Sequence, residues 1–189
     1  MVIFGLPMLT IHLPTFPVLT SDRLVLRQLR STDADQMLIM RSDPRVMEHV
    51  PRPLAKTIDD ATALIELING MFAANEAVQW AITLKDEDRF IGLIGFWRIM
   101  KEHHFAELGY MTLPAHWGKG LISEAIGTAL EFGFGTLGLH RVEAITRPQN
   151  AASIRALEKN GFVREGEFKE DIFWDGVFHD SVYFGRLAK

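Results

Sequence analysis

Three stretches of this sequence carry residue types and spacings that suit chemistry. The first is Trp117-Gly118-Lys119-Gly120, a glycine turn between an apolar, aromatic run, Ala106–Leu113, and a helical pattern with apolar residues at Leu121, Ile122, Ala125, Ile126, Ala129 and Leu130. Strand, glycine turn and helix form an anion site. Glycine lets backbone approach a phosphate, and the first-turn N–H groups are unpaired and carry the positive end of the helix dipole. Neither G-x-x-x-x-G-K-[ST] nor a full G-x-G-x-x-G is present, and a bare Gly-Lys-Gly also reads as a plain helix start. The second is Glu107, the only acid between Phe105 and Leu113. Buried, it has a pKa raised toward a useful range for a base; on an edge strand facing water it has none of that. His103, His104 and His116 flank the strand as rival bases. The third is Asn150 with Ser153, three residues apart, which suits an N-cap and first helical turn as well as a polar pair at a site.

Other chemistries are poorly served. The chain has no cysteine, so it has no disulfide scaffold, thiolate metal site or acyl-cysteine. Its seven histidines show no H-E-x-x-H or similar spacing, so no metal is expected. There is no G-x-S-x-G nucleophile turn. A net charge of -4 gives no basic field for nucleic acid. No apolar run reaches the roughly 18 residues of a membrane span, and residues 1–18, with Pro7, Pro14 and Pro17, lack a basic start and cleavage site. They read as an extended arm packed on the body or on a second subunit. A cytoplasmic location is expected.

The elements that must hold these residues follow from pattern. Arg23–Leu29 alternates like a half-buried strand. Ser31 or Thr32 can cap a helix through Met40, and Asp43-Pro44 breaks it. After a second helical segment and the loop Pro51-Arg52-Pro53, Thr57 begins a helix whose stripe is Ala61, Leu64, Ile65, Ile68 and Phe72. Gln79–Leu84 and Phe90–Ile99 read as strands about a solvated turn, Lys85–Arg89, and with Ala106–Leu113 make an antiparallel meander. After the long helix come a strand at Arg141–Thr146 and a helix at Asn150–Lys159 closed by Gly161. Two strands, Val163–Asp171 and Val177–Arg186, are joined across Trp174-Asp175-Gly176. The 189 residues suit one α+β domain over 19–189, a mixed, mostly antiparallel central sheet flanked by helices.

Trp117-Gly118-Lys119-Gly120-Leu121-Ile122-Ser123-Glu124-Ala125 resembles the pyrophosphate loop of the GNAT acetyltransferases, [QR]-x-x-G-x-[GA]. It is most similar to the branch holding the ribosomal-protein N-terminal-alanine enzymes. Trp117 stands at the Gln/Arg position, and Ile122 at the Gly/Ala position, where its bulk crowds the cofactor. Asn150 to Phe162 is similar to the family pattern N-x-x-S-x-x-[LV]-x-K-x-G-F, with Asn150, Ser153, Leu157, Lys159, Gly161 and Phe162 all matching. The opening L-T-S-D-R-L-V-L-R from Leu19 is a third, weaker likeness.

The resemblance implies the GNAT acyl-CoA N-acyltransferase fold and direct transfer of acetyl from acetyl-CoA to a primary amine. Amides of Gly118, Lys119, Gly120 and Leu121 would hold the pyrophosphate, with Lys119 adding charge and Trp117, Ile122, Met111, Asn150 and Ser153 completing the cofactor site. Arg155 and Lys159 either reach the 3′-phosphate or are solvated helix charges. Backbone N–H groups near Tyr110–Thr112 would polarise the thioester carbonyl. Glu107 would be the base, and Ser153 the acid for the leaving thiolate. The only tyrosines, Tyr110 and Tyr183, lie outside the helix where other branches keep a catalytic one. Freeing the amine at pH 7 costs roughly 1 kcal/mol for an α-amino group and about 4.6 for lysine, so one carboxylate serves the former. The leading acceptor is a protein N-terminus. A polyamine or antibiotic amine is the alternative, and a non-catalytic acetyl-CoA-binding module the other. Acceptor determinants fall to the early helices and the Phe168–Phe178 hairpin, with Trp80, Trp97 and Trp174 as pocket walls. A homodimer through the arm and the hairpin fits the same pattern.

Overall fold

The computed structural model describes residues 8–189. Its elements are β1 (Leu19–Thr20), β2 (Leu24–Arg27), α1 (Ala34–Ser42), α2 (Pro44–Met47), α3 (Ile58–Ala73), β3 (Val78–Leu84), β4 (Glu87–Met100), β5 (Phe105–Thr112), α4 (Leu121–Gly135), β6 (Arg141–Thr146), α5 (Ala151–Lys159), β7 (Val163–Trp174) and β8 (Val177–Leu187). One sheet joins the strands in the order β1-β2-β3-β4-β5-β6-β8-β7. Every pairing is antiparallel except β5 with β6. That parallel pairing lasts three residues, Phe105↔Arg141, Ala106↔Val142 and Glu107↔Glu143, and then the strands part. The remainder of β5 therefore has one edge with no strand beside it, and that open edge is the structural basis of the site.

Strand alternation sorts side chains onto two layers. Ala106, Leu108 and Tyr110 of β5 join Val142 and Ala144 of β6 and the apolar stripe of α4 in the larger core. Met111 and Leu113 point to the other layer, where α1 and α3 cover Ala81, Phe90 and Leu93. Glu107 shares parity with Met111, so it faces the α1–α3 side of the sheet.

Local details differ from the sequence reading where side chains found partners. The Lys85–Arg89 turn shrinks to two residues, because β4 begins at Glu87. Asp88 there ion-pairs with Arg27 and Arg30, so that turn is not merely solvated. The first helix is not capped by Ser31 or Thr32. Asp33, 3% exposed, accepts Arg30 N at 2.8 Å and the two terminal guanidinium nitrogens of Arg27, Nη1 and Nη2, each at 2.8 Å, closing a short 3₁₀ turn ahead of α1. Thr57, where the sequence begins this helix, proves to be its N-cap, and Asp60 completes a capping box.

Residues 1–7 of the arm lie outside the described residues. The following segment packs on the larger core through Leu9, Ile11, Leu13 and Phe16. Phe16 sits 4.7 Å from the ring of Phe72 and 6.3 Å from Trp80, whose indole N–H donates to Pro17 O at 2.8 Å. Trp80 is fully buried among Phe16, Phe96 and Phe132, so it is core and not a pocket wall. Among the described residues no helix is long and apolar enough to cross a membrane, and no group of His, Asp and Glu side chains could hold a metal.

Candidate active site

The gap between β5 and β6 opens into a cleft of about 1570 Å³. Its walls come from the α1–α2 region and α3, the β5 edge, the glycine turn, the start of α4, and α5. At one end, Gly118 and Gly120 have φ of 71° and 75°, and Gly120 is the residue from which α4 starts. The positive φ is what calls for glycine here, not crowding, since a Cβ on Gly118 would have nothing within 4 Å. Amides of this turn and of the first turn of α4 are placed for an anion. Trp117 lines the cleft, and its indole N–H is tied to Thr112 O at 3.0 Å, fixing the turn to the end of β5. The β1–β2 turn braces the other side. Glu124 accepts from Ser21 Oγ, Arg23 N and Arg23 Nε, while Arg23 Nη1 donates to Lys119 O at 3.0 Å. The Lys119 side chain is not among the cleft-lining groups, whereas Arg155 and Lys159 both are. Ile122 lines the cleft and rests partly buried against the core.

The open edge of β5 supplies donors. Leu113 N donates to Ile91 O on the β4 side, so by alternation Met111 N–H points the same way, and Tyr110 and Thr112 N–H face the gap. Met111 thus offers the cleft its side chain and not its backbone. On the α5 side, Asn150 Oδ1 accepts Ser153 N at 3.0 Å and caps the helix. Ser153 Oγ then meets Tyr110 Oη at 2.8 Å. Tyr110 is half-buried, and the desolvation of its phenol pushes it up to about 12, so its proton stays on. The sequence reading set Tyr110 aside because it is not helical. Its parity in β5, opposite to that of Glu107, is the signal that aims it at α5.

Glu107 lies at the last β5–β6 pairing, 8% exposed, and so is buried and not a solvent-facing edge residue. Burial raises its pKa, and neighbouring Glu143 raises it further. Arg98, 3.1 Å from its carboxylate, and a hydrogen bond from Trp97 pull the other way. Arg98 also reaches Glu143 at 3.5 Å and lies over the Trp97 and Phe105 rings. Trp97 walls the cleft beside Gly109 as the sequence suggested, but Trp174, near the hairpin tip, does not. Of the rival bases, His103 and His104 sit in the β4–β5 turn, outside the cleft lining. His116 lines the cleft beside the glycine turn; burial lowers its pKa. It follows β5 at the far end from Glu107, about 17 Å along a strand at roughly 3.4 Å per residue. His49, which sequence reasoning passed over, lines the cleft from the end of α2, with its Nδ1 buried and unpartnered.

Residues 23–163 match the Acetyltransferase (GNAT) domain family. The chain belongs to the GNAT acetyltransferases. It is 33% identical to an uncharacterized N-acetyltransferase, YoaA, of Bacillus subtilis over 88% of this chain and 94% of that protein. It is 29% identical to the [ribosomal protein uS5]-alanine N-acetyltransferase of Escherichia coli over 87% of each. It is 26% identical to a spermidine N(1)-acetyltransferase of Vibrio cholerae over 85% of this chain and 90% of that one. A solved GNAT acetyltransferase of Bacillus anthracis superposes with a TM-score of 0.82 at 28% identity, covering 90% of this chain and 98% of the other. The GNAT cosubstrate, acetyl-CoA, brings an activated acetyl thioester, a pyrophosphate and a narrow pantetheine arm. The open strand edge, the left-handed glycine turn and the cationic α5 suit that shape. The protein is therefore an acetyl-CoA-dependent N-acetyltransferase.

Proposed function

We propose that this enzyme acetylates the α-amine of a protein N-terminus, as in the ribosomal-protein-alanine type. The burial of Glu107 at the point where the strands part is the observation that carries this reading. Its raised pKa makes it a better proton acceptor than a surface carboxylate, and an α-amine needs only a modest base. Glu107, directly or through one water, takes the proton that the attacking nitrogen must lose. Tyr110 and Thr112 N–H polarise the carbonyl. The Ser153 hydroxyl, held by Tyr110, donates toward the sulfur as the carbon–sulfur bond breaks. Gly118, Lys119, Gly120 and Leu121 amides anchor the pyrophosphate. Trp117, Ile122, Met111 and Asn150 line its path, and Arg155 and Lys159 supply positive charge.

The test is mass spectrometry after incubation with acetyl-CoA and peptides starting in Ala, Ser or Met, N-blocked lysine peptides, and polyamines. A 42 Da gain on a free N-terminus, lost in Glu107→Gln, is expected. Acetylation of polyamines alone would move the function to small-amine modification, the activity carried in the name of the Vibrio relative. The same reading places the enzyme in the cytoplasm and a second copy on the β7–β8 hairpin, where Phe168, Phe173, Val177 and Phe178 are exposed. Sedimentation of the parent and of Phe173→Ser tests that pairing.

A further inference from the structure

The cleft contains a second cationic feature, distant in sequence from the glycine turn. Arg41 lies in the last turn of α1 and Arg52 in the loop that follows α2, and both line the cleft. Ala55 N donates to Arg41 O at 3.1 Å, which folds the loop back onto the helix end and carries Arg52 toward Arg41. Among the described residues, neither guanidinium has a carboxylate within ion-pair distance, whereas neighbouring Arg45 is spent on Asp43 at 2.6 Å. Arg52 donates only to its neighbour's carbonyl, Pro51 O, at 2.9 Å. Two acids share this wall. Asp60 is occupied by the Lys56 and Thr57 amides, and the exposed Glu48 lies 4.0 Å from His49. Burial lowers the pKa of Arg41, and Arg52 adds like-charge repulsion. Two arginines held together without an anion, in a chain of net charge -4, are an unfavourable arrangement unless something negative comes between them.

We propose that Arg41 and Arg52 are a specificity subsite for a carboxylate on the acceptor, so that the preferred substrate is an acidic peptide, with Asp or Glu close behind its N-terminal residue. A guanidinium fork matches a carboxylate in two parallel hydrogen bonds. The inference rests on the cleft being the acetyl-transfer site. It deepens the N-terminal reading by naming the sequence class that the α1–α2 wall selects.

The test compares peptides that differ only by Glu or Gln at positions two to four, and a small pair, γ-aminobutyrate against butylamine. Both are run on the parent, Arg52→Gln, Arg52→Glu and Arg41→Lys. Arg52 is exposed, so its variants should fold, and thermal melts check that. The parent should show a KM about tenfold lower for the Glu peptide, as expected for a charge-assisted contact. That ratio should vanish in Arg52→Gln and invert in Arg52→Glu, stay partly in Arg41→Lys, and leave the KM for acetyl-CoA unchanged. Equal KM values for Glu and Gln peptides overturn the proposal, as does a ratio that survives Arg52→Glu. A rise in the acetyl-CoA KM instead would assign the pair to the cosubstrate's 3′-phosphate and overturn it too. If no peptide reacts but small amines do, the N-terminal reading fails, and the aminobutyrate-to-butylamine ratio still decides this one. Acetyl-CoA binding with no acceptor turned over sinks both.

Discussion

Glu107 sits in a contradictory setting: a buried carboxylate with a second carboxylate, Glu143, beside it, Arg98 reaching both and Arg141 reaching Glu143 as well. The outcome is a raised pKa, with burial the largest cause. For an acid, a folded-state pKa above the unfolded one means that folding favours the protonated form. The stability from Glu107 is present below its unfolded pKa and is lost as pH rises through the folded value. Two outcomes follow. Activity should fall on acidification with a midpoint above the ordinary glutamate value of about 4.3, read from kcat/KM against pH. Glu107→Gln should cut kcat/KM by about a hundredfold or more while leaving the melting temperature at pH 7 equal or higher. An activity loss accompanied by a lower melting temperature would mean that the residue is structural. The Tyr110–Ser153 contact makes a second prediction. Ser153→Ala and Tyr110→Phe should each slow turnover roughly tenfold, and the double variant should cost little more than either, because both act through one hydrogen bond.

Elements act here by holding the site open and in register. Gly118 and Gly120 let the turn adopt its left-handed shape, but the turn is also tied from outside, by Arg23 to Lys119 O and by Arg23 and Ser21 to Glu124. Arg23 is half exposed, so Arg23→Ala should cost no more than about 1 kcal/mol of stability. It should raise the KM for acetyl-CoA several-fold with kcat at saturation nearly unchanged; a fall in kcat with KM unchanged would exclude the bracing role. The start of α1 depends on a different tie. Asp33 satisfies the buried Arg27, so Asp33→Ala strands a charge in the interior and should cost about 3–5 kcal/mol in urea unfolding. A loss below 1 kcal/mol would show that Arg27 finds other partners, such as Asp88.

For the whole molecule, the described part of the arm ahead of β1 packs on the core through Leu9, Ile11, Leu13 and Phe16. Phe16 fills the space between Phe72 and Trp80, and the Trp80 indole is satisfied by Pro17 O. Phe16→Ala should therefore lower stability by about 1–3 kcal/mol, seen as a drop of several degrees in the melting temperature, with the acetyl-CoA KM little changed. An unchanged melting temperature would make the arm's packing incidental. The sheet as a whole divides labour: one layer, under α4, is an apolar core, and the gap between β5 and β6 opens into the cleft in which the proposed transfer takes place.

Most elements were legible in the chain itself, because their signals are local. The helix start at Thr57, the cap Asn150, the turn Trp117–Gly120, the alternation of Arg23–Leu29 and the order of strands and helices depend on neighbours within a few positions. The two motifs around Gly118–Gly120 and Asn150–Phe162 are local as well, and it was their resemblance to the GNAT acetyltransferases that implied acetyl-CoA as cosubstrate. What lay beyond reach depends on contacts between residues far apart in sequence. Whether Glu107 is buried depends on β6 arriving beside β5 and then leaving it, a geometry that parallel pairing through α4 decides. Tyr110 meets Ser153 across 43 positions, Arg23 meets Glu124 across 101, and the Trp80 indole N–H reaches Pro17 O across 63. Local pattern encodes which backbone a segment prefers. Only packing decides which side chains lose their water, and with it their charge, their partners and their chemistry.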